Sequence, residues 1–412
     1  MRLCVYKYIF KGYFLNILVL NAGSSSLKYQ LIDVETQRVI ARGLCERVGN
    51  EGANHIHCVD AEEVVISTPM RNHSEALQVV LDHICDPKQH ILNSLDEIDA
   101  IGHRVVQGGK YFSQSARITP DVIYKIRQLA ELAPLHNNAA LMGIEACQKL
   151  LPSTPQVAVF DTAFFHNLAP TYHTYPLPYE LAQKYDIRRY GAHGTSHRYI
   201  AQRAAQFLHK NMWDLKLITC HLGNGASITA INHGKALDTS MGLTPLEGLM
   251  MGTRCGSIDP AIVTYLMERE NLSPQEMNDI LNKQSGLLGV SGVSNDLRSV
   301  YDAAEQGNDR AKLAYEMFAV SIKRYVGQYI ALLGGVDAIV LSGGVGENCP
   351  IMRRLVFADL QSLGIQLDES RNKEKTRERE ISSDTSRVRI LVIPTNEELM
   401  IALDTKRIVQ QK

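Results

Sequence analysis

The sequence predicts a two-domain α/β protein. Three observations carry that expectation. The chain has 412 residues, more than one ordinary hydrophobic core organises. A strand–glycine turn–strand unit near its start returns about two hundred residues later, the mark of two domains built on one plan. The segments between these units carry helical periodicity, punctuated by short apolar strands.

Residues 16–20 form a continuous apolar run and read as a buried strand, 21–26 as a polar turn, and 27–33 as an alternating strand with Leu27, Tyr29 and Leu31 on one face. Residues 38–45 are a third strand. The second unit repeats the order: strand 215–220, turn 221–225, strand 226–231, turn 232–234 and short strand 236–239. Helical spacing places Leu77, Val80, Leu81 and Ile84 on one face of a helix over 74–85. Thr119-Pro120 starts another, with an N-cap followed by proline. Helices are also expected over 138–150 and over 309–332, the latter closed by Gly334-Gly335. Residues 157–160, 338–341 and 388–393 read as strands. The charged run 369–380 reads as a solvated loop or helix face.

A chain 45% apolar and 21% charged falls in the range of soluble globular proteins. Its formal net charge of −1 gives no electrostatic reason to expect nucleic acid or an anionic membrane as partner. Eight scattered cysteines without a C-x-x-C suit reduced thiols in the cytosol. His55, His57 and Cys58 form an H-x-H-C cluster, which alternation on a strand explains as well as a metal site does. No apolar stretch reaches membrane-spanning length. Residues 1–14 are basic and aromatic, lack a cleavage site, and make a poor signal peptide. One hypothesis takes Leu15 as the true initiator; finding residues 1–14 by mass spectrometry of the native protein would sink it.

Standard nucleotide motifs are missing. Gly109-Lys110 lacks Walker spacing, and Gly344-Val345-Gly346 opens a G-x-G-x-x-G that ends on Cys349. His193 and His197 stand four apart without the glutamate of a zincin. Small-residue turns follow strands instead: 21–26, Gly223-Asn224-Gly225 and 343–346. Converging N–H groups without Cβ atoms make such turns phosphate cradles, although each alone is also an ordinary tight turn. Together they point to a nucleotide site between two domains. Arg104 and Arg254 each stand beside glycine-rich backbone, where a guanidinium can grip a carboxylate or phosphoryl group, or form a structural ion pair. Asp161 at a strand end and Glu397 at a helix start suit water-coordinated Mg²⁺, and equally suit capping.

Six segments together resemble the acetate kinase family. The long ones are Leu18-Val-Leu-Asn-Ala-Gly-Ser-Ser-Ser-Leu-Lys28 and Thr239-Ser-Met-Gly-Leu-Thr-Pro-Leu-Glu-Gly-Leu-Met-Met-Gly-Thr-Arg-Cys-Gly-Ser-Ile-Asp-Pro260. The short ones are His-Arg-Val-Val (103–106), Val-Phe-Asp-Thr-Ala-Phe (159–164), His-Gly-Thr-Ser-His (193–197) and Pro-Thr-Asn-Glu-Glu (394–398). The resemblance runs from about residue 15 to residue 404.

It implies two ribonuclease-H-like, actin-like ATPase domains with an active-site cleft between them. The expected division is 15–161, joined by the C-terminal helix 397–412, and 162–396, which would bind nucleotide and carry the dimer contact of a cytoplasmic homodimer. It implies transfer of the ATP γ-phosphoryl group to acetate, giving acetyl phosphate and ADP, with Mg²⁺ or Mn²⁺ as cofactor. Asn21, Ser24, Ser26 and Lys28 would lie near the phosphates and Asn21 near the metal. Asp161 and Glu397 would hold the metal, partly through water. Arg104 and Arg254 would bind the acyl carboxylate and the moving phosphoryl group, and His193 would hydrogen-bond that group. Asn224 would position the γ-phosphate, and His221, Gly223 and Gly225 would bind the nucleotide. Asp296, Arg298, Gly344, Val345, Gly346 and Asn348 would line the adenosine site. Val106, Leu135, Ala192 and Pro245 would form the acyl pocket, and His136 a supporting histidine. Ala192, where some relatives carry Phe, leaves room for propionate. Butyrate kinase, a chaperone- or actin-class ATPase and a non-catalytic nucleotide sensor are the other readings of the same residues.

Overall fold

The computed structural model describes residues 15–60 and 62–411. Residues 1–14, and with them the question of the initiator, lie outside the described residues. The chain forms two compact units. One runs to His166 and takes back the C-terminal segment from Asn396; the other is Asn167–Thr395.

The first unit is built on a sheet of β1 (Asn16–Gly23), β2 (Ser26–Asp33), β3 (Arg38–Glu46), β4 (Asn54–Val59), β5 (Glu62–Ser67), β6 (Ala100–Val105), β7 (Ala116–Arg117) and β8 (Gln156–Phe160). Its spatial order is β5-β4-β3-β2-β1-β6-β8-β7. β1, β2 and β3 form an antiparallel meander, whereas β6 pairs parallel with both β1 and β8. The second unit holds β9 (Lys216–Leu222), β10 (Ala226–Asn232), β11 (Lys235–Thr239), β12 (Ala338–Ser342), β13 (Arg379–Glu380) and β14 (Arg389–Val392), in the order β11-β10-β9-β12-β14-β13. Here β12 pairs parallel with β9 and β14. Counted from its own first strand, each sheet therefore places a meander beside two parallel strands in the order 3-2-1-4-5. That is the ribonuclease-H-like plan, present twice.

Strands buried on both faces are largely apolar. β8 and β12 are buried at every position. The helices begin and end where local chemistry dictates. Thr119 caps Pro120–Gln128 by accepting from the N–H of Val122. Gly334, in the left-handed region at φ 63, ends Asp309–Leu333. The helix expected from residue 138 begins earlier, at Pro134, because proline fits the first turn of a helix. The helix Glu397–Gln410 returns to the first unit and packs on Gly102 of β6. A Cβ there would stand 2.7 Å from Cγ2 of the buried Ile401.

Three expectations need correction. The turn over 21–26 is tighter: β1 continues through Gly23 and only Ser24 and Ser25 turn the chain. Residues 343–346 are not an open loop but the start of a short helix, Gly343–Asn348. The charged run is not wholly solvated: Arg379 is buried, on a strand paired with β14, and donates to the Thr376 and Glu347 carbonyls. His55 and His57 share a face of β4 and both hydrogen-bond the Tyr29 hydroxyl. Burial pushes them down to about 3 and about 4. Among the described residues no group of three or more His, Cys, Asp or Glu is arranged to hold a metal ion, every cysteine is a free thiol, and no helix is long and apolar enough to cross a membrane.

The packing at Gly102 yields a prediction. Gly102→Val overpacks the seat of the C-terminal helix and lowers unfolding free energy by about 1–3 kcal/mol in a denaturant titration; unchanged stability would refute this seat.

Candidate functional site

In the first unit three charged side chains gather at the ends of β6, β8 and the C-terminal helix. Arg104, on β6, donates from Nη2 at 2.7 Å and Nε at 3.1 Å to Asp161 Oδ2. Its Nε lies 3.8 Å from Glu397 Oε2. Asp161 follows β8, is buried, and is fixed by its own N–H on the Val105 carbonyl at 2.9 Å. Glu397 begins its helix behind the N-cap Asn396, whose side chain accepts from Leu399 N–H. Burial opposes the charge on Arg104, but Asp161 and Glu397 outweigh it and raise its pKa. Burial also pushes the Glu397 carboxyl up; Arg104 pulls it down, and Asp161 and Glu398 push it up again. Glu398 pairs with Lys28, which lies opposite Asn21 in the β1–β2 register.

Asn21 and Ser26 are half-buried, and Ser24 is exposed in the turn. Val106 is buried just beyond β6. The side chain of Leu135 lies outside the described residues. His136 is exposed in the first turn of Pro134–Leu150.

In the second unit His193 precedes the helix Gly194–Phe207 with φ 59, a left-handed conformation uncommon outside glycine. Its Nδ1 lies 2.9 Å from Ser227 Oγ. Its ring centroid is 4.5 Å from that of His221, whose Nδ1 lies 2.8 Å from Ser196 Oγ. The turn Gly223–Asn224–Gly225 joins β9 to β10. A Cβ on Gly225 would stand 3.5 Å from His193 Cε1 and 3.8 Å from Arg254 Nη1, so both side chains border this glycine.

Arg254 sits on a strap held from two sides. Gly252 N–H donates to the Asn224 carbonyl, while Ser285 and Leu287 N–H groups donate to the carbonyls of Thr253 and Met251. The guanidinium is half-buried, donates from Nη1 to the Pro245 carbonyl at 3.2 Å and has no carboxylate partner among the described residues. Burial lowers its pKa. Ala192 is buried in the core of this unit.

A cavity of about 840 Å³ opens beside the same turn. Gly223, Asn224, Asp296, Arg298, Gly344, Val345 and Asn348 line it, with Leu287, Tyr301, Phe318 and Cys349 among the rest. His221, Gly225 and Gly346 do not line it. Asp296 caps the helix Leu297–Glu305 and pairs with Arg298 at 2.7 Å. Gly343 has φ 77, and a Cβ there would stand 2.6 Å from the Leu222 carbonyl oxygen.

Sequence reasoning missed Ser227, Thr219 and Glu398, and it left His197 without a role. The i, i+4 spacing of His193 and His197 was the available signal, since it puts both on one helix face. The partners on β9 and β10 gave none.

The Acetokinase family matches residues 16–403. An acetate kinase of Desulfitobacterium hafniense is 54% identical over 398 residues, covering 96% of this chain and 100% of its own length. One of Halothermothrix orenii is 53% identical over 397 residues, with the same coverage of each chain. The crystal structure of Porphyromonas gingivalis acetate kinase superposes with TM-score 0.92 at 47% identity, over 96% of this chain and 100% of that one. A propionate kinase structure from Francisella tularensis gives 0.89 at 43% identity, over 95% and 99%. The chain belongs to the acetokinase family.

Proposed function

We propose that this protein transfers the γ-phosphoryl group of ATP to the carboxylate of acetate, reversibly, giving acetyl phosphate and ADP. The observation that carries the reading is Arg254: a half-buried guanidinium without a carboxylate partner, beside His193 and the Gly223–Gly225 turn. Buried charges are ordinarily paired. An unpaired one beside a nucleotide-sized cavity suits an anionic substrate.

The residues divide the work. The cavity beside Gly223 takes the nucleoside, with Asp296, Arg298, Gly344, Val345 and Asn348 along it, and Gly346 belongs to the same short helix as Gly344 and Val345. Asn224, Gly225 and His221 serve the terminal phosphate, with Asn21, Ser24, Ser26 and Lys28 as the complementary set. Val106, Leu135, Ala192 and Pro245 hold the acyl group, and His136 supports them. A carboxylate is ionised at neutral pH, so attack on phosphorus needs no general base. The barrier is electrostatic, because an anion approaches a polyanion and charge spreads over the equatorial oxygens. Arg254 and His193 offer preorganised donors to that charge, and Arg104 orients the attacking carboxylate. The reaction is a direct in-line displacement.

Asp161 and Glu397 fit a divalent cation. They are two carboxylates close to one Arg, and the raised Glu397 carboxyl is an acidic group that a cation would relieve. Mg²⁺ typically takes one or two carboxylates and otherwise water and phosphate oxygens. When bound it neutralises phosphate charge; Mn²⁺ would serve the same donors. Cytoplasmic location and a homodimer complete the reading. Leu313, Met317 and Val320, exposed at helical spacing on Asp309–Leu333, support the second unit as the dimer contact.

Propionate is the second reading. The small Ala192 and the 43% identical propionate kinase favour it. One methylene is worth only about 0.8 kcal/mol, so discrimination between the two acids will be modest.

Trapping acyl phosphate with hydroxylamine across acetate, propionate and butyrate, with ATP, GTP or pyrophosphate, decides the substrate. The expected result is the highest kcat/KM for acetate with ATP. A maximum at propionate makes the protein a propionate kinase, and ADP release independent of any acid makes it an ATPase. Arg254→Ala is expected to lower kcat by roughly 10²–10⁵; near-normal kcat would remove Arg254 from the reaction. Cation binding requires ionised carboxylates. Because the Glu397 carboxyl is raised, Mn²⁺ affinity measured by paramagnetic resonance should begin to weaken with falling pH above the usual glutamate range of about 4. Glu397→Gln should flatten that dependence, and a pH-independent wild type would contradict the metal assignment.

A further inference from the structure

Behind His193 a line of buried polar groups runs into the second unit. Ser227 Oγ lies 2.9 Å from His193 Nδ1 and 2.7 Å from His197 Nε2. His197 Nδ1 lies 2.8 Å from Thr219 Oγ1. His197, Ser227 and Thr219 are fully buried. The geometry follows from the elements. His193 and His197 are one turn apart at the start of Gly194–Phe207, and the His197 N–H closes that turn on the His193 carbonyl at 2.9 Å. Thr219 and His221 on β9 register with Thr229 and Ser227 on β10, so these four residues share one face of the hairpin.

Proton counting restricts what this line can do. A serine hydroxyl has one proton and cannot donate to two ring nitrogens at once. At least one of His193 Nδ1 and His197 Nε2 must therefore donate to Ser227. Burial, with His221 nearby, holds the pKa of His197 well below 6.5, so its ring is neutral and carries one proton.

Two orders satisfy these three hydrogen bonds. In one, Thr219 donates to His197 Nδ1, His197 Nε2–H donates to Ser227, and Ser227 donates to His193 Nδ1. In the other, every donor and acceptor is reversed. The first order leaves the His193 proton on Nε2. The second leaves Nε2 of a neutral ring unprotonated, unable to donate to a phosphoryl oxygen. That Nε2 edge faces the Gly225 turn: a Cβ on Gly225 would stand 3.6 Å from Nε2 and 3.8 Å from Arg254 Nη1.

We propose that Ser227 and His197 are positioning residues that hold His193 in the tautomer and orientation presenting Nε2–H to the transferring phosphoryl group. The proposal rests on the acyl-kinase reaction above. His193 is the residue that touches the substrate; Ser227 and His197 act only through it. Partners of this kind fix the ring orientation and tautomer of a working histidine.

The test is steady-state acyl hydroxamate formation by the full-length protein, comparing wild type, Ser227→Ala, His193→Ala and the double variant. Ser227→Ala should lower kcat about tenfold or more, with KM for acetate and ATP changed by less than about threefold. In the His193→Ala background the same substitution should cost nothing further, because its only route to the reaction is gone. His197→Gln, which keeps a polar group near the Nε2 position, should retain more activity than His197→Ala. Should His197→Ala fail to fold, Ser227→Ala, which removes a single oxygen, still carries the test.

Equal losses from Ser227→Ala in both backgrounds would show a merely structural role and overturn the proposal, as would wild-type kcat in Ser227→Ala. These failures are distinct from that of the reaction itself, in which the wild type would form no hydroxamate.

Discussion

A guanidinium held half-buried, with no acid among the described residues to pair with, is the constraint on which the proposed reaction depends. Arg254 sits on a strap between two segments of the second unit. Its backbone is bonded to the Asn224 carbonyl on one side and to the segment around Ser285–Leu287 on the other. The strap is thus tied to the turn that borders the cavity, and the guanidinium and that turn are positioned together. Arg104 shows the contrasting case. Asp161 and Glu397 surround it, so its charge is compensated within the first unit. One arginine balances carboxylates; the other, in the proposed reaction, meets an anion.

The duplicated sheet explains why these groups sit where they do. In each unit the polar residues follow the ends of the central strands: Arg104 and Asp161 at β6 and β8, Gly223 and Gly343 after β9 and β12. Parallel strands leave converging ends there, which is where open α/β sheets place ligands. The two copies of the plan are loaded differently. The first carries carboxylates and a hydroxyl-rich turn, the second a cavity, an arginine and a set of histidines.

Much of the fold was legible because it depends on local pattern. The apolar runs of β1, β9 and β12, the Thr119-Pro120 cap and the Gly334 stop all act within a few residues. What stayed hidden depends on tertiary pairing. Polar Asn21 reads as turn, yet pairing with Lys28 keeps it in β1. Arg379 reads as surface, yet β14 draws its backbone into the sheet and two carbonyls satisfy its side chain. In the site, Arg104, Asp161 and Glu397 stood out as residue types, but their mutual ion pairs did not, because β6, β8 and the last helix are far apart in sequence. Ser227 carried no signal. A serine on a strand acquires meaning only when two histidines from a helix close on it.

In the proposed reaction an acid's carboxylate oxygen attacks the γ-phosphorus of ATP directly, with the charge met by fixed donors. The most direct measurement uses ATP made chiral at that phosphorus with oxygen isotopes, followed by configurational analysis of the acetyl phosphate formed. Inversion is the predicted result, because one in-line displacement turns the phosphorus over. Retention would mean two displacements through a phosphorylated protein group and would contradict the account.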